Sequence, residues 1–331
     1  MTVGSGVGAQ IGFVSETTYG TYLAPTRFLR FLQESLDDAQ KVEQAKGLAA
    51  GQLLEHSDMY AITTKGAGGD IEFEVKNRWM GHLLQGLMGT TVTPVQQGAT
   101  AAYLQTHALV DNAGKFLTLQ KGVPDLTGTA RPYTYLGCKV TSAEFECGIG
   151  ELLKAKFTFD SRDVSEAQSL VAATFPTNLA PFHFAQMGFK LGATPGTEAA
   201  VSGVRKVQLK IERGVADDLY YANAAGLKDE PVANERVKIS GTIETDYKDK
   251  TVFADRARSQ VHPALIWEFI GPLIETPHTE RLTFKLPVTR LEPKSPTVGG
   301  PEVIRPSFNF VVLTDGTNNP SIEYMSRDTT L

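Results

Sequence analysis

The chain has 331 residues, and typical domain sizes suggest two domains rather than one. Its 41% apolar and 21% charged residues lie near globular averages, which excludes a disordered or fibrous polymer. A net charge of −5 argues against a nucleic-acid-binding face or a polybasic membrane anchor.

The opening residues 1–13 lack a basic segment followed by an apolar core, so no signal peptide is expected. No apolar run is long enough to span a bilayer, and a soluble protein made inside a cell is the expectation. Gly4-Ser5-Gly6-Val7-Gly8-Ala9 superficially suggests a dinucleotide loop. It precedes any strand, however, and reads as a flexible N-terminal arm.

Strand-like segments follow at Phe28–Leu32, Asp70–Val75, Phe116–Gln120, Tyr133–Cys147 and Leu152–Asp160. More appear at Phe182–Leu191, Val204–Arg213, Arg236–Tyr247, Arg281–Leu291 and Ile304–Leu313. Polar and apolar residues alternate within them, as in Ile71-Glu72-Phe73-Glu74-Val75, so each buries one face and wets the other. That is the pattern of antiparallel sheets. The 31 glycines and 17 prolines are scattered, as many short strands joined by turns require.

Two segments read as helices. Asn77–Met88 places Trp79, Leu83, Leu84 and Leu87 on one stripe, with Asn77 as N-cap and Gly89 as stop. Asp249–Ile270 is broken or kinked at Pro263, leaving Ala264–Ile270 as a short helix or a strand. Two long irregular stretches, Asp37–Lys65 and Ala216–Glu235, are expected to bind a neighbour.

The halves share an order. Strand Phe28–Gln33, Glu34, Asp37-Asp38, a loop with Gly47-Leu48, strand Asp70–Val75 and a tryptophan-bearing helix fill the first. Strand Val207–Ile211, Glu212, Asp217-Asp218, a loop with Gly226-Leu227, strand Gly241–Asp246 and a helical region with Trp267 fill the second. A duplicated mainly β unit with one flanking helix is therefore expected, with domains at 1–178 and 179–331.

No catalytic constellation emerges. The six histidines stand apart without metal-ligand spacing, and His82, beside the helix stripe, reads as a packing residue. Nucleophile-elbow and phosphate-loop motifs are absent, and no cofactor is implied. The carboxylate pairs Glu72/Glu74, Glu144/Glu146 and Glu244/Asp246 lie at i, i+2, about 6.6 Å apart on a strand, within glycosidase range. Their alternation with apolar residues makes them the wet face of a sheet instead. A turn at Gly148-Ile149-Gly150 would set Lys154 and Lys156 opposite Glu146 and Glu144. Cys138 and Cys147, an odd number of residues apart, are expected on opposite faces as reduced, partly buried thiols.

Two stretches resemble a known family. Ile11-Gly12-Phe13-Val14-Ser15-Glu16-Thr17-Thr18-Tyr19-Gly20-Thr21, followed by Pro25-Thr26-Arg27-Phe28-Leu29, resembles the N-terminus of tail tube proteins of long-tailed phages. Tyr135–Cys147, continuing to Phe157-Thr158-Phe159-Asp160-Ser161-Arg162-Asp163, resembles that family's long hairpin. Weaker echoes follow in Pro181–Gly192 and Val204–Gly214.

The resemblance implies two antiparallel sheets flanked by a helix in each domain, a β-sandwich or partial barrel. It implies homo-oligomeric rings, stacked into the tube through which DNA passes, in a virion assembled in the host cytoplasm. Chains with two tube domains form trimers of pseudo-sixfold symmetry, and a plain hexamer is the alternative. Other tail proteins would meet the tube ends. Glu72, Glu74, Glu144, Glu146, Glu244 and Asp246 are the expected lumen lining, repelling DNA phosphates. Asp37, Asp38, Gly47, Leu48, Asp217, Asp218, Gly226 and Leu227 mark the expected ring–ring contact loops. The inner tube of a contractile tail is a rival reading, and a ligand-binding β-sandwich, with Tyr220-Tyr221 as its candidate, a weaker one.

Overall fold

The computed structural model describes residues 5–331, so Gly4 of the expected arm lies outside the described residues. Strands β1 (Gln10–Ser15), β2 (Arg27–Leu29) and β3 (Phe31–Glu34) open the chain. A short β4 (Asp37–Asp38) precedes the hairpin of β5 (Lys41–Gln44) and β6 (Tyr60–Thr64), and then β7 (Ala67–Glu74). Helix α1 (Gly81–Met88) leads to β8 (Val95–Gln96), β9 (Tyr103–Ala108) and β10 (Leu117–Pro124). The long β11 (Ala130–Gly148), β12 (Lys154–Ser161) and β13 (Asp163–Ser165) complete the first half.

The second half begins with β14 (Met187–Gly192), β15 (Ala199–Ala200) and β16 (Val204–Glu212). A small pair, β17 (Val215–Ala216) and β18 (Val232–Ala233), leads to β19 (Lys238–Thr245). Helix α2 (Ala254–Arg258) precedes β20 (Ala264–Glu275) and β21 (His278–Leu286). Then come β22 (Thr289–Leu291), β23 (Ser307–Val312) and β24 (Ser321–Ser326).

The fold is mainly β and antiparallel, as the alternation predicts, and no sheet of the described residues closes into a barrel. One sheet runs β3-β7-β12-β11-β16-β19-β23-β22, crossing from the first half to the second at β11–β16. A second runs β2-β1-β10-β11-β13. The third runs β15-β14-β20-β21-β24-β9-β8, taking β8 and β9 from the first half. A single apolar core spans both halves; Phe145 of the first sheet meets Phe284 of the third, ring centroids 4.9 Å apart.

Strand β11 belongs to two sheets because it bends. Its ladder with β10 slips between Leu117 and Leu119, beside Gly137 at φ 61°, and its ladder with β12 slips between Val140 and Ser142. Each β-bulge adds a residue and kinks the strand. The second bulge also inverts the side-chain alternation, so Cys138, Val140, Ala143, Phe145 and Cys147 are all buried. The two thiols therefore share the core face, contrary to the odd-spacing expectation. Burial pushes the Cys147 thiol up to about 12 and raises Cys138 further still.

Helix α1 starts four residues later than expected. Leu83, Leu84 and Leu87 are buried and Gly89 stops the helix at φ 90°, both as read from the sequence. Asn77 is no cap. Its side chain receives Ala180 N–H (2.7 Å) and donates to Asn178 O (2.9 Å) and to the Glu280 carboxylate. Trp79 sits before the helix at φ 69°, a left-handed conformation held by the Asp328 carboxylate, which accepts from Trp79 N–H (2.7 Å) and Arg78 Nε (2.6 Å).

The second helix is only α2, which ends at Arg258 with Ser259 as its C-cap, and Pro263 directly precedes β20. Trp267 thus lies on a strand, not in a helix, and the parallel between two tryptophan-bearing helices fails. Ala264-Leu265-Ile266-Trp267-Glu268-Phe269 is nearly buried on both faces, and such a run carries no period to separate strand from helix. Strands β1, β9 and β24 went unread as well. β1 is almost wholly buried between β2 and β10, so it too shows little alternation.

His82 packs edge-on to Phe13 (6.2 Å), with Ser15 Oγ 2.8 Å from Nδ1, in keeping with a packing histidine. Burial, reinforced by Arg27, lowers its pKa to about 4, and burial alone lowers His107 to about 3. In the unfolded chain both bind protons near 6.5. The folded values are depressed, so stability is full above pH 6.5 and drains as the pH falls toward 4 and then 3. His82 alone accounts for roughly 3 kcal/mol across that window. Urea midpoints should fall steeply from pH 7 to pH 4, and His82→Gln should flatten the decline. An unchanged slope in that variant would rule the linkage out.

Candidate assembly surface

The apolar side of the first sheet faces the core, which leaves its other side polar. Registers set Glu72 beside Lys156 and Lys156 beside Glu144, with Lys154 between Glu74 and Glu146. The row continues from Glu144 to Lys210 and Ser240, and Lys206 stands beside Glu244. The hairpin turn and the Glu144–Lys156 and Glu146–Lys154 registers agree with the sequence reading. The ion pairs go elsewhere: Lys156 Nζ reaches Asp70 (2.8 Å), and Lys206 Nζ reaches Glu146 (2.5 Å). Glu72, Glu74, Glu144, Glu146 and Glu244 thus share one half-exposed face, interleaved with lysines that the acids outnumber. Hydrogen bonding to acids raises the pKa of Lys156 and Lys206, so that face carries fixed charges of both signs.

Asp246 departs from this set. It follows the last residue of β19, where Arg205 (3.4 Å) and Arg305 (3.3 Å) hold its carboxylate at the rim.

The two long loops differ. Asp37 and Asp38 form β4, paired to β7, and are exposed. Beyond them the β5–β6 hairpin stands away from the body, with Gly47 exposed near its tip. It exposes Val42, Leu48, Leu53, Leu54, Met59, Tyr60 and Ile62. Isolated exposed apolar residues are ordinary, but this many on one projection marks a contact surface.

The second loop is folded down onto the first half. Lys228 pairs with Asp160 of β12, and Glu230 with Lys139 of β11. Tyr220 Oη donates to Lys65 O (3.0 Å), Lys65 N donates to Gly226 O (2.7 Å), and Gly114 N donates to Glu230 (2.7 Å). Asp217 and Asp218 stay exposed, while Gly226 and Leu227 lie half-buried against the base of the other hairpin. Tyr220 is one of the loop's ties, and Tyr221 is exposed.

Burial lowers the Lys139 pKa and raises that of Asp160, and in each case the partner's charge opposes the shift. Such buried pairs are costly to break from one side. The sequence reading missed all four residues. The one available signal was Lys139 itself, a charge set among Cys138, Val140 and the core-facing stretch that follows.

Among the described residues no cluster of three or more His, Cys, Asp or Glu could hold a metal ion. No helix of the described residues is long and apolar enough to cross a membrane. One cleft of about 170 Å³ lies between Val201, Asp246, Val252 and Phe308, where Lys248 Nζ donates to Ser202 Oγ (2.9 Å).

A search among curated proteins finds no match. The family model described as phage tail tube protein matches residues 6–312. Nearly the whole chain is thus covered, through both halves and all three sheets, and it belongs to the phage tail tube protein family, whose members are structural components of the virion.

Proposed function

We propose that the chain is the repeating subunit of the tail tube, with two tube domains (1–178 and 179–331) closing as a trimer into a pseudo-sixfold ring. Rings stack into the conduit for ejected DNA, are built in the host cytoplasm and meet other tail proteins at the tube ends.

The observation that carries this reading is a repeated pairing pattern. Within the first sheet, β3-β7-β12-β11 from the first half has the same connectivity as β16-β19-β23-β22 from the second. Gly69 faces Phe159 and Ile71 faces Phe157; Gly241 faces Phe310 and Ile243 faces Phe308. A Cβ on Gly69 would lie 2.3 Å from Ser35 O, and one on Gly241 would lie 2.2 Å from Gln208 O, so the same close approach recurs. The outer strands repeat as well: β1-β10-β11-β13 matches β14-β20-β21-β24.

The β11–β16 pairing is then a junction between domains made inside one chain. The free edges of β22 and β3 are its two halves, left for a neighbouring copy. Unpaired edges invite strand addition, and a ring removes them. In that ring the polar face, with Glu72, Glu74, Glu144, Glu146 and Glu244, lines the lumen, and Asp246 sits at its rim. Excess acid repels phosphate, while the lysines hold the acids in place.

Electron microscopy of purified protein tests this. Rings or hollow rods with threefold end views are expected. Six chains per ring would favour the plain hexamer, and monomers at assembly concentrations would overturn the reading.

A further inference from the structure

We infer that the exposed β5–β6 hairpin docks sideways onto the next copy of the chain in the same ring, over the end of its β22 and β23. This rests on the ring reading above.

The template lies within the chain. The second loop leaves β16, the strand that crosses the domain junction, and lies down on the domain it has just joined. It is held there by Lys228 on Asp160 and Glu230 on Lys139. The β5–β6 hairpin leaves β3–β4, whose Ser35 occupies the place of Gln208. If β3 joins the neighbour's β22 as β16 joins β11, the hairpin meets the neighbour's second half at the matching place.

That place follows from the registers. Val140 opposite Phe159 matches Leu291 opposite Phe310, so Lys139 matches Arg290 and Asp160 matches Val311. Arg290 is exposed, and Val311, Val312 and Leu313 remain half-exposed, whereas Lys139, under its loop, is fully buried.

The chemistry has changed in step on both partners. Where Asp160 receives a lysine, Val311 offers an apolar surface, and the hairpin brings Leu48, Leu53 and Leu54 instead of charges. Arg290 keeps the base of the Lys139–Glu230 pair, and Asp58, at the register position of Glu230, supplies the acid. Exposed leucines that would be a liability on a monomer thereby become the clasp between subunits.

Gln44 opposite Tyr60 matches Ala216 opposite Val232, and the loops 45–59 and 217–231 between them are equally long, which sets His56 at the position of Lys228. In a His56→Cys/Val311→Cys chain the two native thiols are buried and silent. Tubes treated with a short bismaleimide should give a covalent ladder that ends at the number of chains in one ring. A ladder running on past that number would mean axial contact between rings, and intact tubes without cross-links would also overturn the proposal.

A second variant separates the same alternatives without cross-linking. Leu53→Asp/Leu54→Asp should abolish rings altogether, leaving folded monomers. Single rings that form but fail to stack would overturn lateral docking while leaving the tube reading intact. If the unmodified chain makes no tube, the tube reading itself fails.

Discussion

A Leu32→Pro chain is expected to fold normally and remain monomeric. Leu32 is half exposed on β3, at the slip in its ladder with β7, and has no partner residue there. Because Leu32 has no register partner on β7, proline there leaves every paired position of β3 in place, while its ring blocks a strand docking on the free edge. In the proposed ring, edge pairing between subunits would repeat at every junction, so the steric block of the pyrrolidine would recur around the whole assembly. Light scattering should report monomers where the unmodified chain gives rings, with an unchanged far-ultraviolet spectrum. Rings of normal size from this variant would show that β3 is not the joining edge.

Trp267→Ala is expected to cost about 3–5 kcal/mol, the range for deleting a buried large aromatic side chain. Trp267 is 1% exposed and stacks on Phe284 (5.0 Å) and against Phe269 (5.3 Å), and Phe284 in turn touches Phe145 of the first sheet. The cavity would open where the two halves share one core, so a single cooperative transition should shift to lower urea. Typical domains hold only about 5–15 kcal/mol in total. Trp267→Phe should cost much less, because the buried indole N–H has no hydrogen-bond partner to lose. A loss below about 1 kcal/mol for the alanine variant would show that the site relaxes to fill the space.

Legibility tracked exposure. Strands with one wet face, such as β7, β12 and the second part of β11, were read nearly to the residue, because burying one face and hydrating the other writes a period of two into the chain. The same alternation located the acids of the polar face and the hairpin register at Glu144–Lys156. Elements buried on both faces wrote no period: β1 was not read as a strand, and β20 stayed undecided between helix and strand around Trp267. Local capping was misread as well, since Asn77 bonds to Asn178, Ala180 and Glu280, residues far along the chain that no local pattern reveals.

By itself the sequence determined a mainly antiparallel β protein, its acids alternating along strands, with two long loops. These are local matters of polarity and turn chemistry. Tertiary structure alone decided that a bulge turns Cys138 and Cys147 to one face, that Asp246 leaves the acidic set, and that one loop is strapped down while the other stands free. Each of these depends on pairings between residues distant in the chain, where a one-residue slip or a buried ion pair changes which face or partner a side chain meets.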